Sequence, residues 1–381
     1  MNKNSRPFRV GISGSYGGLN LGDEAILTGM LSELRRAVPV EVTIFSRNAE
    51  DTRKRHKVER AVPVRDLSRG EILPEVKRLD LLIVGGGGIL FDGEAQNFLR
   101  EVALAQEHRV PVMIYAVSAG PLRDPAAQKA VREALSQAQV VSVRERGARQ
   151  ILEDIGVHVD IAVTADPALL LKPEPVPADV LKREGLDTKK PLVGMSVREP
   201  GAAAPGISES DYHQLLADVA DFMVDRYDAD IIFVPMEPKR QDTQQCHAVA
   251  AHMLRAPRAT VLKGDYTSGQ LLTLIERFAF AVGMRLHFLI FASLQNVPFV
   301  ALPYAPKVHG FLEDLKISMP PFEQVNAGRL IAHIDHAWDR KRQLQTKIRR
   351  ALPALQERAR ESNAIAVRLL SKPIVGTRSA A

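Results

Sequence analysis

One short segment of the chain places an arginine and a histidine directly after an apolar run. Phe278–Gly283 is predicted to be a strand, and Leu286 begins a predicted helix, so Arg285 and His287 stand at the turn between them. The amino end of a helix carries partial positive charge, and a cation there is disfavoured unless an anion compensates it. The segment therefore predicts an anion-binding site that includes Arg285 and His287. The alternative for His287 is a packed core histidine.

Three further cations follow predicted strands. Arg144 comes after Val140–Val143, while Arg198 and Lys307 come after two later apolar runs. In open parallel sheets ligands bind beyond the carboxyl ends of the strands. A guanidinium group suits phosphate and carboxylate, so these residues are candidate substrate ligands. For each arginine, the alternative is a solvated side chain or one in an ordinary ion pair.

The first glycine-rich segment runs from residue 14 to residue 24, after the predicted strand Phe8–Ser13. Its candidate ligand residues are Gly17, Gly18, Asn20 and Asp23. Glycines let backbone amides approach a ligand, and a helix that starts here favours negative charge. Asp23 is predicted to cap that helix or to bind substrate. The spacing matches neither the dinucleotide fingerprint nor the P-loop, and a plain tight turn is the alternative.

A second glycine-rich segment follows the predicted strand Leu79–Val84 and consists of Gly85, Gly86, Gly87 and Gly88. Four consecutive glycines destabilise any regular element unless a ligand or another backbone approaches closely. Asp92, just beyond, is a candidate acceptor for a substrate hydroxyl, with a plain loop residue as the alternative.

The composition excludes several classes of protein. A net charge of +6 from 51 basic and 45 acidic residues is too mild for a dedicated nucleic-acid binder. Cys246 is the single cysteine, so no internal disulfide is possible, and no metal-type cluster is present. No apolar run approaches the roughly 18 residues of a membrane span. A cytoplasmic protein without metal or cofactor is expected.

Strand-like and helical runs alternate along the chain, which predicts an α/β fold with two doubly wound, Rossmann-like domains facing a cleft. We expect an N-terminal domain at residues 1–172, a Pro- and charge-rich linker at 173–190, and a C-terminal domain at 191–328. Residues 329–381 should form a basic helical segment that packs back on the first domain. Ten Lys or Arg against two Glu between Arg340 and Lys372 indicate a solvated helix face or a peripheral contact with anionic lipid.

Several motifs together resemble the polysaccharide pyruvyl transferases. They span about residues 8–310 and are Asn20-Leu21-Gly22-Asp23-Glu24, Gly85–Gly88, Ser142-Val143-Arg144, Thr164-Ala165-Asp166-Pro167-Ala168, Gly194-Met195-Ser196-Val197-Arg198, Gly283-Met284-Arg285-Leu286-His287 and Pro303-Tyr304-Ala305-Pro306-Lys307. The resemblance implies a GT-B-like fold, phosphoenolpyruvate as donor and a sugar acceptor. The acceptor would be a precursor of a cell-surface polysaccharide, often lipid-linked. Glu145 stands where the family motif commonly has Asp.

By this resemblance Arg144, Arg285, His287 and Lys307 would bind the donor or act in catalysis. His287 would protonate C3 of phosphoenolpyruvate while a sugar hydroxyl attacks C2. Asp92, Glu94 and Asp23 are the candidate bases. Two other interpretations stay open from the sequence: a GT-B glycosyltransferase that uses nucleotide sugars, and a non-catalytic binding protein of the same fold.

Overall fold

The computed structural model describes residues 6–199, 207–239, 241–302, 305–319 and 326–371. The chain forms two compact units. The first comprises residues 1–18, 26–167 and 357–381, and the second comprises residues 19–25 and 168–356. These boundaries differ from the predicted ones, because residues 173–190 belong to the second unit and residues 357 onward to the first.

The first unit is a parallel sheet of seven strands in the order β3-β2-β1-β4-β5-β6-β7. Its strands are β1 (Phe8–Ser13), β2 (Val40–Ser46), β3 (Arg60–Pro63), β4 (Leu81–Leu90), β5 (Val112–Ala119), β6 (Val140–Val143) and β7 (Ile161–Val163). Its helices are α1 (Leu21–Ala37, whose first turn belongs to the second unit), α2 (Ala49–His56), α3 (Arg69–Lys77), α4 (Ala95–Glu107), α5 (Pro125–Ser136) and α6 (Arg146–Asp154). The order is that of a doubly wound sheet.

The strands of this sheet are buried over most of their length, because helices cover both faces of a doubly wound sheet. All eight residues of β5 are buried, for example. Local signals place the helix starts: Ser68 and Glu71 form a capping box at α3, and Asp124 caps α5 ahead of Pro125.

The second unit is a parallel sheet of five strands in the order β10-β9-β8-β11-β12. In chain order its elements are α7 (Val180–Arg183), β8 (Leu192–Ser196), α8 (Glu209–Tyr227), β9 (Asp230–Phe233), α9 (Gln241–His252), β10 (Ala259–Val261), α10 (Ser268–Ile275), β11 (Phe280–Gly283), α11 (Leu286–Leu294), β12 (Phe299–Ala301), α12 (Pro306–Leu315), α13 (Ala327–Asp339) and the first half of α14 (Lys341–Ser371, whose residues from 357 onward belong to the first unit). Again the strand order is doubly wound, so the predicted fold class of two Rossmann-like α/β units is confirmed.

The segment 173–190, predicted as a linker, packs onto the second unit. Leu186 is fully buried, and the carboxylate of Glu184 accepts hydrogen bonds from the backbone N–H groups of Lys263 and Gly264, each at 3.0 Å. Prolines and charges predicted an exposed connection, but the buried residues between them anchor it.

The basic C-terminal region is two helices where the sequence predicted one. α13 ends at Asp339, and Arg340 takes a non-helical conformation before α14 begins. The residues on both sides are good helix formers, so their pattern did not show the break. Among the described helices, none has both the length and the hydropathy needed to cross a membrane.

Candidate active site

The carboxyl edge of the second sheet collects the predicted cations of this unit. Gly283 of β11 is paired with Ser196 of β8 on one side and with Ala301 of β12 on the other. Arg198 and Arg285 follow at the same distance beyond that level. The parallel register therefore brings the two arginines to one edge of the sheet, as expected from their positions after strands.

Arg285 is held by two carboxylates from the loop and helix that follow β9. Its Nε donates to Oδ2 of Asp242 at 3.0 Å, and its Nη2 donates to the other oxygen of the same carboxylate. Its Nη1 lies 3.1 Å from Oε1 of Glu237. The Arg285 side chain is 13% exposed, that of Glu237 18%, and that of Asp242 fully buried.

Asp242 is fixed from the backbone as well. Its Oδ2 accepts from the N–H groups of Met236 at 3.1 Å and Glu237 at 3.2 Å. The sequence did not single out this residue, because an acid in the first turn of a helix is ordinary dipole compensation. Its role depends on a partner 43 positions away.

The prediction that an external anion balances the charge of Arg285 needs correction. The sequence indicated that the cation at the start of α11 awaits an external anion. In the structure the compensating anion is internal, since Asp242 forms a bidentate pair with the guanidinium. Arg285 is therefore a pre-oriented group, and Glu237 is its more exposed partner.

The start of α1 also belongs to this site. Asn20 Oδ1 accepts from the N–H of Gly22 at 2.9 Å, and Asn20 Nδ2 donates to Glu237 Oε1 at 2.8 Å. The N–H of Leu21 donates to the carbonyl of Met236 at 2.9 Å. Asn20 thus caps the helix and connects it to the partner of Arg285.

The predicted capping role of Asp23 is wrong, because Asn20 supplies the cap. Asp23 is the third residue of α1, where its charge suits the positive end of the helix.

His287 lies directly against the backbone of α1. A Cβ atom placed on Gly22 would lie 1.9 Å from His287 Nδ1 and 2.3 Å from its Cγ. No side chain fits at residue 22 while the imidazole keeps this position. His287 is the second residue of α11 and is partly exposed. The glycine in the Asn-Leu-Gly-Asp-Glu motif thus makes room for the histidine of the later motif.

The other two predicted ligands of this unit are partly exposed. Arg198 pairs with its neighbour Glu199, and its carbonyl accepts a hydrogen bond from Tyr212 at 2.5 Å. Lys307 lies in the first turn of α12. Pro303 and Tyr304 of the predicted motif lie outside the described residues.

Arg144 belongs to the first unit and is closed off from solvent. Its Nη1 lies 2.6 Å from Asp166 Oδ2 and its Nε 3.1 Å from Glu145 Oε2, and its side chain is 2% exposed. Ser118 donates to the second oxygen of Glu145. Burial raises the pKa of Glu145 above its ordinary value, and the Arg144 charge opposes that shift. This geometry favours a structural role for the Arg144 guanidinium in joining β6 to the end of β7.

The four glycines do not end a strand as predicted, because β4 continues through them to Leu90. Gly85 is opposite Tyr115 of β5, Gly87 opposite Val117 and Gly88 opposite Ser118. Gly85 has a φ of +137°, and a Cβ there would lie 2.4 Å from the carbonyl oxygen of Tyr115. At Gly86 a Cβ would meet Ile26 of α1 at 2.2 Å.

The chain's own backbone and core thus account for Gly85 and Gly86, whereas Gly88 is exposed.

Asp92, Gly17 and Gly18 complete the predicted residues of the first unit. The carboxylate of Asp92 accepts from the backbone N–H of Arg123 at 2.8 and 3.0 Å and from that of Asp124 at 3.1 Å. Asp92 therefore holds the loop before α5. Gly17 packs against residues 46–48, and Gly18 lies beside the side chain of Arg47.

The residues that the structure brings together are thus Asn20, Gly22, Glu237, Asp242, Arg285 and His287. They combine a fixed guanidinium, an imidazole and a partly exposed carboxylate. Such a set can bind an anion and move a proton within one small region.

Solved structures with a similar fold include UDP-GlcNAc 2-epimerases and glycosyltransferases. The UDP-GlcNAc 2-epimerase from Neisseria meningitidis, solved with UDP-GlcNAc, superposes with a TM-score of 0.65 at 11% identity, covering 96% of this chain and 100% of that one. A glycosyltransferase from Rickettsia africae gives 0.65 at 11%, covering 97% and 100%. The ADP-heptose heptosyltransferase II of Escherichia coli gives 0.51 at 14%, covering 88% and 99%. At these identities the likeness concerns the fold, which is that of the GT-B glycosyltransferases and epimerases.

Within that fold class the chain belongs to the polysaccharide pyruvyl transferase family, whose sequence model matches residues 20–306. The matched range begins at Asn20 and includes Glu237, Asp242, Arg285 and His287. No curated protein matches the sequence significantly.

Proposed function

We propose that this protein transfers pyruvate from phosphoenolpyruvate to a sugar of a cell-surface polysaccharide precursor, forming a ketal and releasing phosphate. Membership of the pyruvyl transferase family supports the reaction class. The observation that carries the assignment is the corner at the start of α11, where Arg285 is pre-oriented by Asp242 and His287 lies against Gly22.

The donor carries a carboxylate and a phosphate, and both need fixed positive partners. Asp242 is buried and held by two backbone N–H groups, so it stays on Arg285. Glu237 is more exposed and contacts Nη1. We assign Glu237 as the partner that a donor anion displaces from Arg285. Arg198 and Lys307, which also follow strands of this sheet, add positive charge for the second anionic group.

The proton transfers then balance as follows. His287 donates a proton to C3 of phosphoenolpyruvate, and the first sugar hydroxyl forms a bond to the electron-poor C2. The bond from C2 to the phosphate oxygen breaks, and the second hydroxyl closes the ketal. Of the two hydroxyl protons, one restores His287 and the other leaves on phosphate. General acid–base catalysis of this kind contributes about 10²–10⁴-fold to a rate.

Glu237 is the carboxylate that best suits deprotonation of the sugar hydroxyl. Once displaced from Arg285 it still accepts the hydrogen bond of Asn20. Asp92, a candidate from the sequence, is already bound by two backbone N–H groups of the loop before α5.

The direct experiment incubates the full chain with phosphoenolpyruvate and a panel of free and lipid-linked oligosaccharides. We expect phosphate release that depends on the acceptor, and a product whose mass equals acceptor plus pyruvate minus water. Release of nucleoside diphosphate from sugar nucleotides, without turnover of phosphoenolpyruvate, would instead identify a glycosyltransferase. Binding of phosphoenolpyruvate with no turnover of any acceptor in the panel would favour a non-catalytic binding protein. A cytoplasmic location and a lipid-linked acceptor stay predictions.

A further inference from the structure

A second group of arginines lies at the carboxyl edge of the first sheet. Arg47 directly follows β2, and Arg65 comes two positions after β3. Because β3, β2 and β1 are neighbours in the sheet, these arginines lie beside the loop that leaves β1 at residues 14–18.

Arg47 is attached to that loop. Its backbone N–H donates to the carbonyl of Tyr16 at 3.0 Å. A Cβ on Gly18 would lie 3.5 Å from both Cδ and Nη1 of Arg47, so the arginine side chain extends alongside this glycine. The loop backbone and the guanidinium therefore line the same place.

Neither arginine is neutralised within the part of the chain that the structure describes. Arg144 and Arg285 each have two carboxylates within 4 Å, whereas no ion pair of Arg47 or Arg65 is found among the described residues. The Nε of Arg47 is buried and has no acceptor among those residues. A buried N–H without an acceptor destabilises the folded protein, so a ligand oxygen that reached this atom would be favoured.

The charges around Arg65 leave positive charge in excess. Arg65 lies over the ring of Phe98, with its guanidinium carbon 5.1 Å from the ring centroid. Partial burial of the guanidinium against Phe98, and then the like charge of Arg47, lower the pKa of Arg65, while Glu94 and Glu101 oppose that shift. Glu101 is already paired with Arg100 at 2.9 Å. Arg65 and its two neighbours Arg47 and Arg100 thus lie near only two carboxylates, Glu94 and Glu101. Of these, Glu101 already forms an ion pair with Arg100.

We propose that Arg47, Arg65 and the loop at residues 14–18 form a phosphate-binding subsite on the first unit, which holds a phosphate group of the acceptor substrate. A phosphate oxygen would give Arg47 Nε its missing acceptor, and a doubly charged group would offset the repulsion between the two guanidinium groups. Glycines in the loop let backbone N–H groups approach the same oxygens. Assigning this phosphate to the acceptor rests on the proposed function; the existence of the subsite does not.

The test measures binding of inorganic pyrophosphate to the full chain by calorimetry at low ionic strength, without phosphoenolpyruvate. Arg47→Gln and Arg65→Gln should each weaken binding about tenfold or more. Arg47→Lys keeps the charge but loses the Nε donor, so it should fall between wild type and Arg47→Gln.

Arg60→Gln is the matched control. It removes the same charge, and Arg60 lies at the start of β3, at the opposite edge of the same sheet. Its affinity for pyrophosphate should stay within about twofold of wild type. Thermal melting of each variant reports whether it is folded, and Arg65, being exposed, is the safer substitution. Absence of binding in the wild type, or equal weakening in Arg60→Gln, would overturn the subsite.

Two further measurements identify the molecule that carries the phosphate and distinguish failure of the subsite from failure of the proposed function. Uridine diphosphate and geranyl diphosphate are compared as soluble nucleoside and prenyl ligands, and the one that binds more tightly than pyrophosphate identifies the acceptor class. Phosphoenolpyruvate affinity should be unchanged in Arg47→Gln, and its loss would place these arginines in the donor site and contradict the proposal. If wild type neither binds nor turns over phosphoenolpyruvate while pyrophosphate binding still depends on Arg47, the proposed function fails and the subsite stands.

Discussion

Two arginines, one in each unit, follow a strand of the sheet but have different surroundings. Arg144 follows β6 and Arg285 follows β11, and each is paired with two carboxylates. Both partners of Arg144 are buried, and β6, β7 and a buried serine surround them. Arg285 has one fixed partner, Asp242, and one partly exposed partner, Glu237, with His287 two residues further on.

A position after a strand therefore does not by itself distinguish a structural arginine from a reactive one. Both arginines satisfy the same sequence rule. What separates them is whether a partner carboxylate can leave and whether a proton donor lies alongside. By this criterion we propose that the second unit carries the donor chemistry and that Arg144 stabilises the first unit.

The largest expected effect is on stability. Arg144→Ala leaves Glu145 and Asp166 buried without their cation, so the free energy of unfolding should fall by about 3–5 kcal/mol. Arg285→Ala should cost less, because Glu237 reaches solvent and Asp242 keeps its two backbone donors. Urea denaturation of both variants measures the difference. Equal losses in the free energy of unfolding would show that the two arginines do not differ in their contribution to stability.

The next effect is on turnover. His287→Ala should lower the rate of phosphate release from phosphoenolpyruvate by about a hundredfold or more, with the melting temperature little changed, because it removes the proposed acid. His336→Ala, on the exposed face of α13, is the control and should turn over normally. Near-normal turnover of His287→Ala would exclude His287 as the acid.

A smaller effect is expected at the glycine beneath the imidazole. Gly22→Ala places a methyl group 1.9 Å from the present position of His287 Nδ1, so the ring must shift. Turnover should fall by about tenfold, since small misplacements of reacting groups are costly.

Gly328→Ala is the matched control, because it is also the second residue of a helix capped by asparagine, and a Cβ there meets nothing closer than 3.6 Å. This control should be neutral or slightly stabilising. A Gly22→Ala enzyme with full activity would show that His287 does not need its position against α1.

The smallest effect concerns pH. Burial raises the pKa of Glu145, so the folded protein retains a proton that the unfolded chain has released. Its contribution to stability is present below the unfolded pKa of about 4.3 and is lost as pH rises through the raised folded value. Glu145→Gln cannot titrate, so its free energy of unfolding should fall less steeply over that window than in wild type.

Chemical denaturation at several pH values tests this slope, with the exposed Glu133→Gln as the control. If the pH dependence of the free energy of unfolding is unchanged in Glu145→Gln, then Arg144 and Asp166 determine it and Glu145 does not.

Much of the fold was predictable, because the signals for it are local. Strands such as Phe8–Ser13, Val140–Val143 and Leu192–Ser196 are found where the apolar runs predicted them. Short elements such as β3 and β10, and the break at Arg340, were not predicted. Their neighbours in sequence resemble ordinary loop or helix, and pairing with distant strands decides them.

From the sequence alone we could predict the doubly wound alternation, the cations that follow strands and the motifs of the pyruvyl transferase family. Each depends on residue type and near-neighbour spacing. Three-dimensional packing was needed to show that Asp242 fixes Arg285 and that Gly22 makes room for His287. It also showed that Arg144 is enclosed, whereas the Nε of Arg47 has no acceptor among the described residues. These facts depend on burial and on partners distant along the chain, because parallel strands bring together residues that the sequence keeps apart.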